Sequence, residues 1–197
     1  MASLWILNKD LSPIEASKQG KDASVCGDCK HRTNKGGACY VVLFQAPQSI
    51  YNAYKRGSYP KLPADLELTN KKIRFGAYGD PSALPMETLK DLRLRSFDKK
   101  ATSYTHQWKQ VSKNGLKDFS MASVDNVEEY QQAKQLGFRT FRVINAGDPL
   151  MKNEIMCPNT THGIECRDCG LCNGLSSPKS KDIVIEVHGS RKGKFNK

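Results

Sequence analysis

Seven cysteines dominate the chemistry open to this 197-residue chain. Cys26, Cys29 and Cys39 form a first group, with two and then nine residues between successive thiols. Cys157, Cys166, Cys169 and Cys172 form a second, with intervals of eight, two and two. A two-residue spacer lets successive sulfurs point at one centre, and four thiolates on a short polar, Gly-containing stretch can wrap a tetrahedral zinc or an iron–sulfur cluster. Three thiolates are one short of a closed structural site. Either His31 completes a Cys3His zinc site, or a four-iron cluster keeps one iron open for a ligand. Both metals accept thiolates, so spacing alone leaves zinc and iron open. In a reducing compartment, such groups serve metals or redox chemistry more often than structural disulfides.

A second set of polar residues recurs at the ends of apolar, β-branched segments. Gly79 and Asp80 follow 73–78, and Tyr104 and His106 end or follow 101–105. Ser123 and Asp125 close 119–123, Arg142 sits near the end of 138–143, Cys157 follows 155–156, and His188 follows 182–187. In a parallel βα array the C-terminal strand ends share one face, where such folds place their sites. Asp80, Tyr104, His106, Asp125, Arg142 and His188 are therefore the candidate catalytic residues. Gly79, Asp80 and Ser123 are the candidate ligand contacts. Gly79 would let a ligand approach the backbone, and Asp80 could accept hydrogen bonds from a ligand ammonium. The plainer alternatives are a turn at Gly79-Asp80-Pro81 and a helix N-cap at Asp125.

The elements that must position these residues follow from periodicity. Strands are expected at 5–7, 73–78, 101–105, 119–123, 138–143, 155–156 and 182–187, and at 40–44 either a strand or a segment that leads into a helix. Helices are expected at 47–54, 85–94, from 107 onward and at 127–136, the last with a cap at Asp125 or Asn126 and a stop at Gly137. The segment 10–38 reads as loop with one helical turn, and 176–180 as a loop before the last strand. Strands alternating with helices imply βαβ units and a mainly parallel sheet. The expectation is an α/β fold, a compact or partial βα barrel with cysteine-rich metal-binding loops, since a full barrel takes about 250 residues. Residues 1–189 read as one domain and 190–197 as a basic C-terminal tail.

The net charge of +11 favours an anionic partner such as a nucleic acid or a nucleotide. No run approaches the roughly 18 to 20 apolar residues of a membrane helix. The segment 1–7 lacks the basic start and apolar length of a secretory signal. A cytoplasmic protein is expected.

Two resemblances add to this. Cys26-Gly27-Asp28-Cys29, Ala77-Tyr78-Gly79-Asp80-Pro81, Tyr104-Thr105-His106-Gln107-Trp108, Met121-Ala122-Ser123 and Cys166–Cys172 together resemble a group of cysteine-rich bacteriophage and prophage proteins. That likeness implies a phage source and the host cytoplasm, and names no reaction. The order of parts also resembles the radical S-adenosylmethionine enzymes, full or partial βα barrels with a three-cysteine loop after the first strand. There the resemblance implies that Cys26, Cys29 and Cys39 hold a cluster whose open iron binds S-adenosylmethionine. Gly79 and Asp80 stand for the segment that contacts its amino group, and Cys157 to Cys172 for an auxiliary cluster. This chain has two-then-nine cysteine spacing where that family has three-then-two, and Asp80 where it has Glu. The rival expectation is a zinc-stabilised protein that binds nucleic acid or a host protein without catalysis. A third is a metal-assisted nuclease or hydrolase using Asp80, His106 and His188.

Overall fold

A computed structural model describes residues 1–61, 63, 68, 71–96, 101–111, 115–175, 177 and 180–195. Of the loop expected at 176–180, residues 176, 178 and 179 lie outside the described residues, as do 196 and 197 of the C-terminal stretch. Eight strands are described: β1 Ala2–Trp5, β2 Ile73–Tyr78, β3 Ala101–Thr102, β4 Tyr104–Thr105, β5 Met121–Val124, β6 Thr140–Ile144, β7 Glu154–Met156 and β8 Asp182–Glu186. The helices are α1 Pro13–Lys18, α2 Ala23–Cys26, α3 Ala46–Lys55, α4 Met86–Arg95, α5 Trp108–Val111, α6 Val127–Gln135, α7 Pro158–His162 and α8 Cys166–Cys169.

The strands form two sheets, β1-β2-β3 and β4-β5-β6-β8-β7, and every ladder is parallel. Only Ser103 separates β3 from β4, and its carbonyl accepts the Met121 N–H (3.0 Å), so one stretch of chain joins the two sheets. The strand expected at 101–105 is thus split, its first half pairing with β2 and its second with β5. β8 lies between β6 and β7 although it follows both in sequence. Its Ile183 and Val184 are fully buried, as a strand paired on both sides requires, whereas the three-residue β7 suits an edge.

Period-two alternation decides which side chains face the helices. In β2, Ile73 and Phe75 pack with Leu89 and Leu92 of α4 and with Ala101, Leu116 and Phe119. Arg74 and Tyr78 fall on the opposite face and line a cavity. In β5, Ala122 and Val124 pack with Trp108, Phe138 and Ala133 of α6, while Ser123 faces the cavity. Asn126 caps α6 by accepting the Glu129 N–H (2.8 Å), and Asp125 does not. Among the described residues no helix is long and apolar enough to cross a membrane.

At 40–44 no strand forms, and the segment leads into α3. Val41 and Leu43 turn inward against Ile6, Val25 and Tyr78, and Phe44 is left exposed. Apolar, β-branched composition there serves packing of an irregular loop. The C-terminal stretch lies against the first cysteine loop: Arg191 Nε donates to the Gly37 carbonyl (2.8 Å), and Phe195 stacks on His31 with ring centroids 5.7 Å apart.

Candidate metal centre

A cavity of about 350 Å³ opens on the face of the sheets away from α4 and α6. Strand side chains supply its wall: Arg74 and Tyr78 from β2, Tyr104 from β4, Ser123 from β5, Phe141 and Val143 from β6, and Ile185 from β8. Cys26, Cys29 and Cys39 line it, and so do Cys157 and Cys166. Two cysteine groups more than a hundred residues apart in sequence therefore meet at one space. All seven thiols are free.

The first group is held by a loop built around a buried arginine. Arg32 donates through Nη2 (2.7 Å) and Nε (3.2 Å) to Asp22 Oδ1, through Nη1 to the Gly27 carbonyl (2.8 Å) and through Nη2 to the Gly20 carbonyl (2.8 Å). Gly27 takes φ +59°, and a Cβ there would lie 2.4 Å from the Gln107 side chain, whose Nε2 donates to the Cys26 carbonyl (3.2 Å). The backbone N–H of His31 is directed at the Cys29 sulfur and that of Val41 at Cys39. The Tyr78 hydroxyl, buried without a nitrogen or oxygen partner, sits against the Cys26 sulfur.

A second arginine organises the second group. Arg139, just before β6, donates through Nη1 to the Leu171 (2.8 Å) and Leu175 (3.2 Å) carbonyls and to Asn173 Oδ1 (3.3 Å), and through Nη2 to the Lys181 carbonyl. Ser103 N donates to the Cys172 carbonyl (2.9 Å). Cys172 thus lies toward the N-terminal side of the strands, and the Tyr104 hydroxyl donates to its sulfur. Cys157 enters from the other side, after β7, with its N–H on the Val184 carbonyl (2.8 Å). The thiols span the depth of the array and are not confined to the C-terminal strand ends.

Sulfur chemistry follows from this burial. Desolvation pushes the Cys26 thiol up to about 12, with neighbouring Cys39, Asp22 and Cys29 adding to it. It pushes Cys29 up to about 11 and Cys172 up to about 12, and also raises Cys39 and Cys166. Near neutral pH these are thiols whose deprotonation is opposed by burial and by one another. A cation among them would reverse that balance, since thiolate is the ligating form. Donor number and type fit two thiolate-bound centres, three sulfurs and four. N–H groups aimed at Cys29 and Cys39 fit too, because outer-shell donors orient and stabilise thiolate ligands. Among the described residues, no set of three His, Cys, Asp or Glu side chains is already arranged to hold a metal ion.

The strand-end residues divide. Gly79, Asp80, Tyr104, His106, Ser123 and His188 all line the cavity. Asp80 is fully engaged: Oδ1 accepts from Thr105 Oγ1 (2.7 Å) and the Ser82 N–H (3.0 Å), and Oδ2 from the His106 N–H (2.8 Å). It clips the end of β2 to the end of β4. Gly79 has φ +82°, and a Cβ would lie 2.6 Å from the Ile6 carbonyl oxygen, so the close approach it permits is to the chain after β1. Tyr104 packs tilted against Phe141 (4.2 Å between centroids), and burial raises its phenol well above the ordinary range. His188 is exposed at the cavity mouth beside Tyr40 (5.3 Å).

Asp125 and Arg142 do not line the cavity. Asp125 Oδ2 holds His31 Nε2 (2.6 Å) and Lys30 Nζ (2.8 Å), and so positions a histidine that does line it. Burial alone would raise its carboxyl, but hydrogen bonds and charge from His31 and Lys30 outweigh burial and hold it below the ordinary value. Arg142 points to the other face of β6, pairs with buried Glu154 (2.6 and 2.8 Å) and donates to the Pro149 carbonyl (2.8 Å). Alternation against Phe141 and Val143 is the signal that places it there.

Arg32, Arg139, Arg74 and Tyr78 are the residues that sequence reasoning missed. Only the alternation of β2 carried any sign of the last two. Comparison with protein-family models, curated proteins and solved structures gives no match.

Proposed function

We propose that this chain is an iron–sulfur protein of radical S-adenosylmethionine type, a compact partial βα barrel acting on a nucleotide or nucleic-acid substrate in the cytoplasm of a phage-infected host. One observation carries the reading: three thiols of the first group and two of the second, Cys157 and Cys166, from opposite ends of the chain, line a single cavity whose wall is a row of parallel strands. A protein using zinc only to brace its loops has no need to bring both groups to one internal space.

In this reading Cys26, Cys29 and Cys39 hold the cluster with an open iron, and Cys157, Cys166, Cys169 and Cys172 hold the second centre. The open cluster would supply an electron to bound S-adenosylmethionine. The chain's own residues do the rest. Asp80 holds the ends of β2 and β4 in register and keeps His106 at the wall. Asp125 fixes the His31 ring between His106 and Phe195. Phe141, Val143, Ile185 and Val187 keep the floor apolar, which limits water around a reactive intermediate.

Anaerobic purification with iron, sulfide and zinc analysis tests this. The expected result is a brown protein with iron and sulfide, absorbing broadly near roughly 400 nm as thiolate-bound clusters do. Its spectrum should change on adding S-adenosylmethionine. Cys29→Ala should abolish that change and leave the second centre's metal in place. Colourless protein with roughly one or two zinc ions, at four ligands per closed site, sinks the proposal in favour of a zinc-stabilised binding protein.

A further inference from the structure

Three buried arginines besides Arg74 hold the strands and loops around the cavity, and each is accounted for. Arg32 pairs with Asp22, Arg142 pairs with Glu154, and Arg139 is spent on carbonyls. Arg74 differs. It projects from β2 into the cavity, and its Nη2 donates to the Tyr40 hydroxyl (2.8 Å). Its Nε is buried without any hydrogen-bond partner, as is that of Arg139, but Arg139 does not line the cavity. The groups near its charge are the phenols of Tyr40 and Tyr104 and the thiol of Cys166. Among the described residues no Asp or Glu carboxylate pairs with this guanidinium where it faces the cavity. An uncompensated cation in a partly desolvated wall is costly, and an anion arriving there removes the cost.

The surroundings say what that anion is attached to. The same cavity also presents an apolar stretch of wall: Phe141, Val143, Ile185 and Val187. Tyr40, nearly half exposed, and His188 form an aromatic edge where the cavity meets solvent. A guanidinium presents a planar fork of N–H donors that matches carboxylate and phosphate oxygens. Tyr40 occupies one of those donors, and Nη1, which no described residue accepts from and which is not buried, remains open.

We propose that Arg74 is the anion subsite of this cavity, taking the carboxylate or phosphate of a small ligand whose flat or apolar remainder lies along Phe141, Val143, Ile185 and Val187. This goes beyond the cluster reading and does not depend on which metal the cysteines hold. It requires only that the subsite stay available once Cys166 is metal-bound.

The test is calorimetric titration of the full-length protein, metal-loaded as isolated, with benzoate, phenyl phosphate and the neutral benzamide. At least one anion should bind saturably and about ten- to hundredfold tighter than benzamide, the range a charge-assisted contact supplies. Preference for phenyl phosphate identifies a phosphate ligand, and preference for benzoate a carboxylate. Arg74→Gln should bring the preferred anion to the benzamide level, and Arg74→Lys should restore part of the difference. Benzamide binding as well as both anions, no saturable binding by either anion, or a folded Arg74→Gln protein that keeps the preference would each overturn the proposal. The first two comparisons use wild-type protein, so they stand even if a variant fails to fold.

Discussion

Replacing Arg32 with Met should release the first cysteine loop while leaving the second intact. Arg32 and Asp22 are both almost fully buried, and Asp22 has this one cation as its ion-pair partner among the described residues. Met matches the apolar stem, ends short of the guanidinium and removes every donor. Stranding a buried carboxylate costs about 3–5 kcal/mol, against the 0–1 kcal/mol typical of an exposed pair. The Gly20 and Gly27 carbonyls also lose their donors. They sit in a loop that can open to water, so most of that further cost is relieved by local unfolding. A penalty of about 3–5 kcal/mol is a large share of the roughly 5–15 kcal/mol that holds a domain together. The loop should therefore open sub-globally, and Cys26 and Cys29 should become reactive. The assay is urea unfolding of the metal-free protein, paired with mass-spectrometric mapping of iodoacetamide labelling. Labelling at Cys26 and Cys29 should accelerate by orders of magnitude with Cys172 unchanged. The double variant Asp22→Leu/Arg32→Met should recover much of the stability, because it leaves no buried charge behind. A loss below about 1 kcal/mol with unchanged labelling would refute the reasoning, since it would mean the pair is solvated and the loop is held by something else.

The other predictions extend the same logic. Arg139→Met should expose Cys166, Cys169 and Cys172 to labelling and leave Cys26 protected, since Arg139 donates to the Leu171, Leu175 and Lys181 carbonyls that carry the second loop. Gly79→Ala should destabilise by about 1–3 kcal/mol or more in urea unfolding, because φ is +82° and the new Cβ would lie 2.6 Å from the Ile6 oxygen. Trp108→Phe should cost about 1–3 kcal/mol by the same measurement, as the Ser123 carbonyl loses its buried indole donor (3.0 Å). Asp125 titrates below its ordinary value in the folded chain, so its contribution is present above about pH 4 and lost as pH falls through the lowered value. The His31 ring resonances should therefore change in that acid range, and Asp125→Asn should abolish the transition.

Much of the architecture was legible locally. Alternation at 73–78, the Asn126 cap with its Gly137 stop, and apolar β-branched runs at 138–143 and 182–187 are short-range signals, and parallel strands with α4 and α6 formed where they stand. The cysteine intervals likewise marked two thiol groups without any fold. What those signals could not carry is anything set by long-range packing. Strand order is one case: β8 takes the place beside β6 and leaves β7 at the edge because Ile183 and Val184 need cover on both sides, a fact of burial and not of chain order. Arg142 is another. Its place near a strand end looked like a site, but one step of alternation turns it from the cavity to Glu154. Asp80 reads the same in sequence whether its oxygens are free or, as here, taken by Thr105, Ser82 and His106. The convergence of Cys26, Cys29 and Cys39 with Cys157 and Cys166 is likewise tertiary, because spacing orders thiols within a loop whereas only the folded sheets bring two loops to one cavity. The chain alone therefore determined which atoms are available to bind a metal. Packing decided which of them share a space, and which charged groups there are left without a partner.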